Sequence, residues 1–132
     1  MSNILYVTLD TSITPPALDV ADGNGENKVV KDKNNQTVKW QLTGNLKNAN
    51  FVAMDDANPG FAWIGIQPPA GVFDKPKPPR PGTSLTVVDH HHNNQSDGTW
   101  FYVLRVISDG ALYTTISAST PKTTTNPVIK NT

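Results

Sequence analysis

The chain has no cysteine among its 132 residues. Disulfides and thiolate metal centres are thereby excluded, and stability has to come from a buried core. Neither sign of charge is in surplus: 11 Lys and Arg stand against 11 Asp and Glu, for a formal net charge of +0. Nucleic acid and anionic membranes both select for a basic excess, so neither is an expected partner. No apolar run approaches the roughly 18 residues of a spanning helix. The opening MSNILYVTLD lacks a basic leader and a long apolar stretch, so no signal peptide is expected. Together these absences predict a soluble, cytoplasmic protein of one domain covering residues 1–132. Charged residues are also scarce, at 17%. Asn, Thr, Ser and Gln must therefore supply much of the polar surface, which suits β-structure better than helices.

The densest run of aromatic and β-branched residues is TWFYVLRVI, residues 99–107, set between Asp97-Gly98 and Asp109-Gly110. A two-residue period puts Trp100, Tyr102, Leu104 and Val106 on one face and Phe101, Val103, Arg105 and Ile107 on the other. Both faces are apolar, which predicts a central strand buried on both sides. Arg105 breaks the pattern, and its guanidinium needs a partner or a route to water.

Around this run the chain reads as short strands separated by turn signals. Leu5, Val7 and Leu9 alternate in an edge or near-edge strand. Val38, Trp40 and Leu42 give the clearest alternation, with Thr37, Lys39, Gln41 and Thr43 outward, and Trp40 is expected to be core packing. Residues 67–83, QPPAGVFDKPKPPRPGT, are too proline-rich for an inner strand and predict a stiff crossover. Their PKPPRP also has polyproline II character, which an aromatic groove on a partner would recognise. Leu85, Val87 and Asp89 share one face of a further strand, and residues 119–132 read as a Thr/Ser linker plus a short C-terminal tail strand. Eight or nine short strands and no amphipathic helix predict an all-β fold, a single antiparallel β-sandwich of immunoglobulin-like or Greek-key type.

Three stretches carry possible chemistry. His90, His91 and His92 are the only histidines, and they are consecutive. Successive side chains on an extended chain diverge, so one metal cannot easily take all three. His90 and His92 can share a face, with Asp89 joining from the side, but a polar loop is the plainer reading, and no metal or cofactor is expected. Asp89 ends its strand on the core face, where desolvation would raise its pKa and fit it for proton transfer. Its plainer role is to accept hydrogen bonds from the next turn. Asn126-Pro127 is a tertiary amide with a weakened trans preference. A side chain just before it can attack its own main-chain carbonyl through a five-membered ring, an anhydride for Asp or a succinimide for the less nucleophilic Asn. As a bare dipeptide, Asn-Pro is also simply a turn signal.

LTVVD, a loop, WFYVLRVISDGALYTT, a linker and NPVIKN follow in that order, over about residues 84–131. In this pattern the chain resembles the DP-EP (Asp-Pro endopeptidase) family, small bacterial β-sandwich proteins that cut themselves at an Asp-Pro bond near the C-terminus. The resemblance implies a self-processing endopeptidase whose substrate is its own C-terminal segment, with the released peptide kept as a strand. It places Asn126-Pro127 at the scissile position, Asp89 as the water-activating carboxylate, and Arg105 where a capturing Lys would lie. Asn126 stands where the family has Asp, and Arg105 is not an amine nucleophile at ordinary pH. The implied member is therefore slow or inactive, with Arg105 left to neutralise an oxyanion or hold Asp89.

Two other functions fit the same residues. One is a non-enzymatic assembly or binding module, a homo-oligomer whose tail strand pairs between copies. The other is an isopeptide crosslink between Asn126 and one of nine lysines.

Overall fold

The computed structural model describes residues 2–20, 26–115 and 127–132. These form ten strands and two single turns of 3-10 helix, at Gly44–Leu46 and Asn94–Ser96. No helix is long and apolar enough to cross a membrane among the described residues. The strands are β1 (Ser2–Asp10), β2 (Ala17–Val20), β3 (Glu26–Val29), β4 (Gln36–Leu42), β5 (Asn50–Phe51), β6 (Phe61–Ile64), β7 (Ser84–Asp89), β8 (Gly98–Ser108), β9 (Ala111–Thr114) and β10 (Val128–Asn131). The count exceeds the expected eight or nine because β5, two residues long, is held only by its pairing to β8.

Both sheets are mixed, which corrects the expectation of purely antiparallel pairing. One sheet runs β2-β1-β4-β7, and β1 lies parallel to β4. The other runs β3-β10-β8, and β10 lies parallel to β3. On β8, strands β5, β6 and β9 also pair. Parallel neighbours require long connections, and both parallel pairs here join strands far apart in the sequence.

Buried apolar side chains from both sheets form one cluster, including Val7, Val38, Trp40, Leu85 and Val87 from the first and Phe61, Tyr102, Leu104, Val106 and Ile129 from the second. β4 alternates as its sequence demands, with Val38, Trp40 and Leu42 inward. Trp40 is fully buried, packs on Phe61 and Tyr102 at ring-centroid distances of 5.1 and 5.2 Å, and donates its Nε1–H to the Tyr102 hydroxyl at 3.0 Å. That bond joins the two sheets through the core. Replacing Tyr102 with Phe leaves the indole N–H buried without an acceptor, at an expected cost of about 1–3 kcal/mol. Urea denaturation of the variant measures it, and an unchanged midpoint would show that the bond is dispensable.

β8 is the inner strand that its sequence predicts, but it is not buried on both faces. Trp100, Tyr102, Leu104 and Val106 are buried, whereas Phe101 and Ile107 on the opposite face are 45% and 46% exposed. Alternation sorts residues into two faces, but only the packing of other elements decides whether a second apolar face is covered. Asp109 and Gly110, both at positive φ, close a two-residue hairpin between β8 and β9. That is the backbone a type I′ turn needs and that an Asp-Gly pair adopts readily.

The proline-rich stretch is a crossover, as expected. It runs along the outer edge of β7 and touches it at two bridges, Phe73 with Asp89 and Lys77 with Thr86. An edge covered in this way no longer offers a free row of hydrogen-bonding groups.

Candidate functional site: the seat of the C-terminal strand

β10 sits between β3 and β8, with Ile129 fully buried and Asn131 3% exposed. Ile129 and Asn131 share a face because side chains alternate along a strand. The same alternation on β7 lines Asp89 up behind Leu85 and Val87, all three buried. Each strand thus ends its apolar inward row with one polar residue, and the two polar residues meet. Asn131 donates its Nδ2–H to Asp89 Oδ1 at 3.1 Å and to the main-chain oxygen of Ser96 at 2.9 Å.

Two atoms of this contact lack a partner. Asp89 Oδ2 and Asn131 Oδ1 are both buried and unbonded. Asp89 has no exposed surface, and burial pushes its pKa up to about 6 against the counteracting hydrogen bond from Asn131 and the three histidines. A proton on Oδ2 turns that atom into a donor, and Asn131 Oδ1 in the same contact is an acceptor without one. The protonated acid and the amide then complement each other, whereas the carboxylate leaves two buried acceptors unsatisfied.

The histidines frame this seat rather than forming one site. His91 is fully buried; its Nε2 donates to the main-chain oxygen of Thr132 at 2.7 Å, and its Nδ1 meets the Ser96 hydroxyl at 2.7 Å. Asp97 Oδ1 lies 3.5 Å from the same Nε2 and also pairs with Lys31 at 3.0 Å. His90 and His92 do turn to one side, where both meet Asn35 Oδ1, at 2.8 and 2.9 Å. Their other nitrogens bond Asp74 and the main-chain oxygen of Asp32. Asp89 does not join them; its hydrogen bond is to Asn131. Among the described residues no three metal-ligating side chains converge.

Of the four residues assigned to self-cleavage, the three that are described, Asp89, Arg105 and Pro127, are not gathered at one point. Asn126 lies outside the described residues. Pro127 is buried, and its carbonyl accepts from the Tyr102 N–H at 3.1 Å. Asp89 meets the tail at Asn131, four residues further on, which is about 13 Å along a strand. Arg105 sits three positions beyond Tyr102 on β8, about 10 Å away along the strand. It is half-buried, and its guanidinium donates to the main-chain oxygen of Pro59 at 2.9 Å, which supplies the partner its sequence context required.

The pairing on β8 reveals one further relation. Thr115 N–H donates to Leu104 O, and Tyr102 N–H donates to Pro127 O. β9 and β10 therefore follow one line along the same edge of β8. The two ends face positions two residues apart, about 7 Å. A single residue would bridge them, yet the chain has eleven, residues 116–126.

Sequence reasoning missed Asn131, Ser96 and His91 as anchors of the tail. A signal for Asn131 was present: an amide in step with Ile129 on an apolar face needs a buried partner. Nothing comparable identifies Ser96, whose contribution to Asn131 is a main-chain oxygen. Comparison with family models, with curated proteins and with solved structures finds no match to this chain.

Proposed function

We propose that the chain is a non-enzymatic β-sandwich assembly module whose C-terminal strand, residues 127–132, is an exchangeable docking piece that joins copies into a homo-oligomer. The observation that carries this reading is the inner position of β10, a strand joined to β9 through eleven residues where one would suffice. Such a strand can occupy the same seat in its own chain or in a second copy, with every pairing preserved. The pairing itself does not distinguish the two, so linker length and concentration decide which forms.

Light scattering after size exclusion tests the proposal. The full chain is expected to show a dimer fraction that grows with concentration and after refolding. A variant keeping only one residue of 116–126 makes β9 and β10 continuous and is expected to stay monomeric. A full chain that is monomeric at every concentration, or a shortened variant that dimerises equally, refutes the proposal.

A second reading, self-processing at Asn126-Pro127, gains one support: a cut at that bond would leave β10 seated by its own hydrogen bonds. It is the weaker reading because the buried acid meets the far end of the strand. Intact mass after prolonged incubation at 37 °C decides it. A peptide with the mass of residues 127–132 supports cleavage, and an unchanged mass removes it.

A further inference from the structure

The crossover of residues 67–83 borders a groove of about 860 Å³ that β6 of the second sheet and β7 of the first also line, on a different part of the molecule from the β10 seat. The groove is within the size range of small-molecule sites. Phe61, Met54, Pro59, Pro76 and Pro79 line it. The walls are rigid for two reasons. Pyrrolidine rings fix φ. The strap is also pinned by main-chain bonds, Lys77 to Thr86 in both directions at 2.9 and 2.8 Å and Met54 N–H to Pro79 O at 2.8 Å. Ser84 and Thr86 of β7 complete the lining, which is mostly apolar.

Its charge is one-sided. Lys75 and Lys77 line the groove, and no acidic side chain does. Of the acids nearby in sequence, Asp55 pairs with Arg80 at 3.1 Å and Asp74 with His90 at 2.9 Å, while Asp56 accepts the Asn58 main-chain N–H at 2.9 Å. Neither Lys75 nor Lys77 forms an ion pair among the described residues. On a chain with no net charge, two ammonium groups without an ion pair beside a mostly apolar groove select for one kind of occupant.

We infer that this groove is a binding site for a small apolar anion, an aromatic or aliphatic body carrying one carboxylate or sulfonate. The body fills the space between Phe61 and the prolines, and the acid group lies at Lys75 and Lys77. This inference is independent of the assembly function.

Fluorescence titration of the full chain tests it with two probes, anionic 8-anilinonaphthalene-1-sulfonate and neutral N-phenyl-1-naphthylamine. Saturable binding of the anionic probe is expected. Its displacement by naphthalene-2-carboxylate, but not by the corresponding neutral alcohol, is also expected. The exposed double substitution Lys75→Glu and Lys77→Glu should weaken the anionic probe by about tenfold and leave the neutral one nearly unchanged. Thr86→Trp, which fills the groove, should weaken both. Anionic-probe binding that survives the lysine reversal, or equal displacement by acid and alcohol, overturns the inference without touching the oligomer measurements.

Discussion

Asp89→Asn is expected to stabilise the folded chain at pH 8 by on the order of 3 kcal/mol, and to do almost nothing at pH 4. The variant keeps the shape of the acid and supplies an N–H where Asp89 Oδ2 has no partner, on a side chain already bonded to Asn131, whose own Oδ1 lacks a donor. The size follows from linkage. Burial raises the Asp89 pKa from 3.8 to about 6, and each unit is worth 1.36 kcal/mol. The sign is that of a raised acid. Below about pH 4 the folded and unfolded chains both hold the proton, and there is no penalty. Between about 4 and 6 the unfolded chain releases it first, and stability falls as pH rises. Above about 6 the folded chain must carry a buried carboxylate, and the full cost remains.

Electrostatic attraction from His90, His91 and His92 opposes the shift without cancelling it. Asn131 from β10 does the same by hydrogen bonding. Thermal unfolding of both proteins at the two pH values is the measurement. The variant should melt roughly 11 °C higher at pH 8, with the two curves converging at pH 4. A variant less stable than the parent at pH 8, or a gap independent of pH, would show that Asp89 is held ionised by something other than this contact.

The second large effect concerns Ile129. Its side chain has no exposed surface and belongs to the same cluster as Trp40, Tyr102 and Leu104. Ile129→Ala is expected to cost about 2–5 kcal/mol, the transfer term plus the cavity left behind. Six residues at the end of a chain are ordinarily among the most dispensable. A large loss here therefore separates a strand that completes the core from a tail that merely rests on it. Urea denaturation is the check. A change below about 0.5 kcal/mol would mean that β10 is not seated as described.

Both effects arise at one place for one reason. Residues 127–132 bring to the core an apolar side chain that rewards docking and an amide that meets a buried acid. The apolar part holds at every pH; the polar part is strongest when Asp89 carries its proton. If β10 is the exchangeable piece proposed above, exchange should be faster at pH 8 than at pH 4.

What could be read in the residues was whatever depends on near neighbours. The inward rows of β4 and β7, the Asp-Gly hairpin after β8 and the crossover nature of the proline-rich stretch follow from a two-residue period and from turn chemistry, and they hold in the structure. The burial of Asp89 and its raised pKa were also legible, because the residue continues the row of Leu85 and Val87. Which strands become neighbours was not legible, since local pattern carries no information on partners far along the chain. Only the assembled sheets put β1 parallel to β4, set β10 beside β3, and left Phe101 and Ile107 uncovered. They also paired Asp89 with Asn131, 42 residues away, and tied Arg105 to Pro59. The sequence alone determined which residues must be hidden; the tertiary structure decided against what, because burial is a property of one chain segment and contact is a property of two.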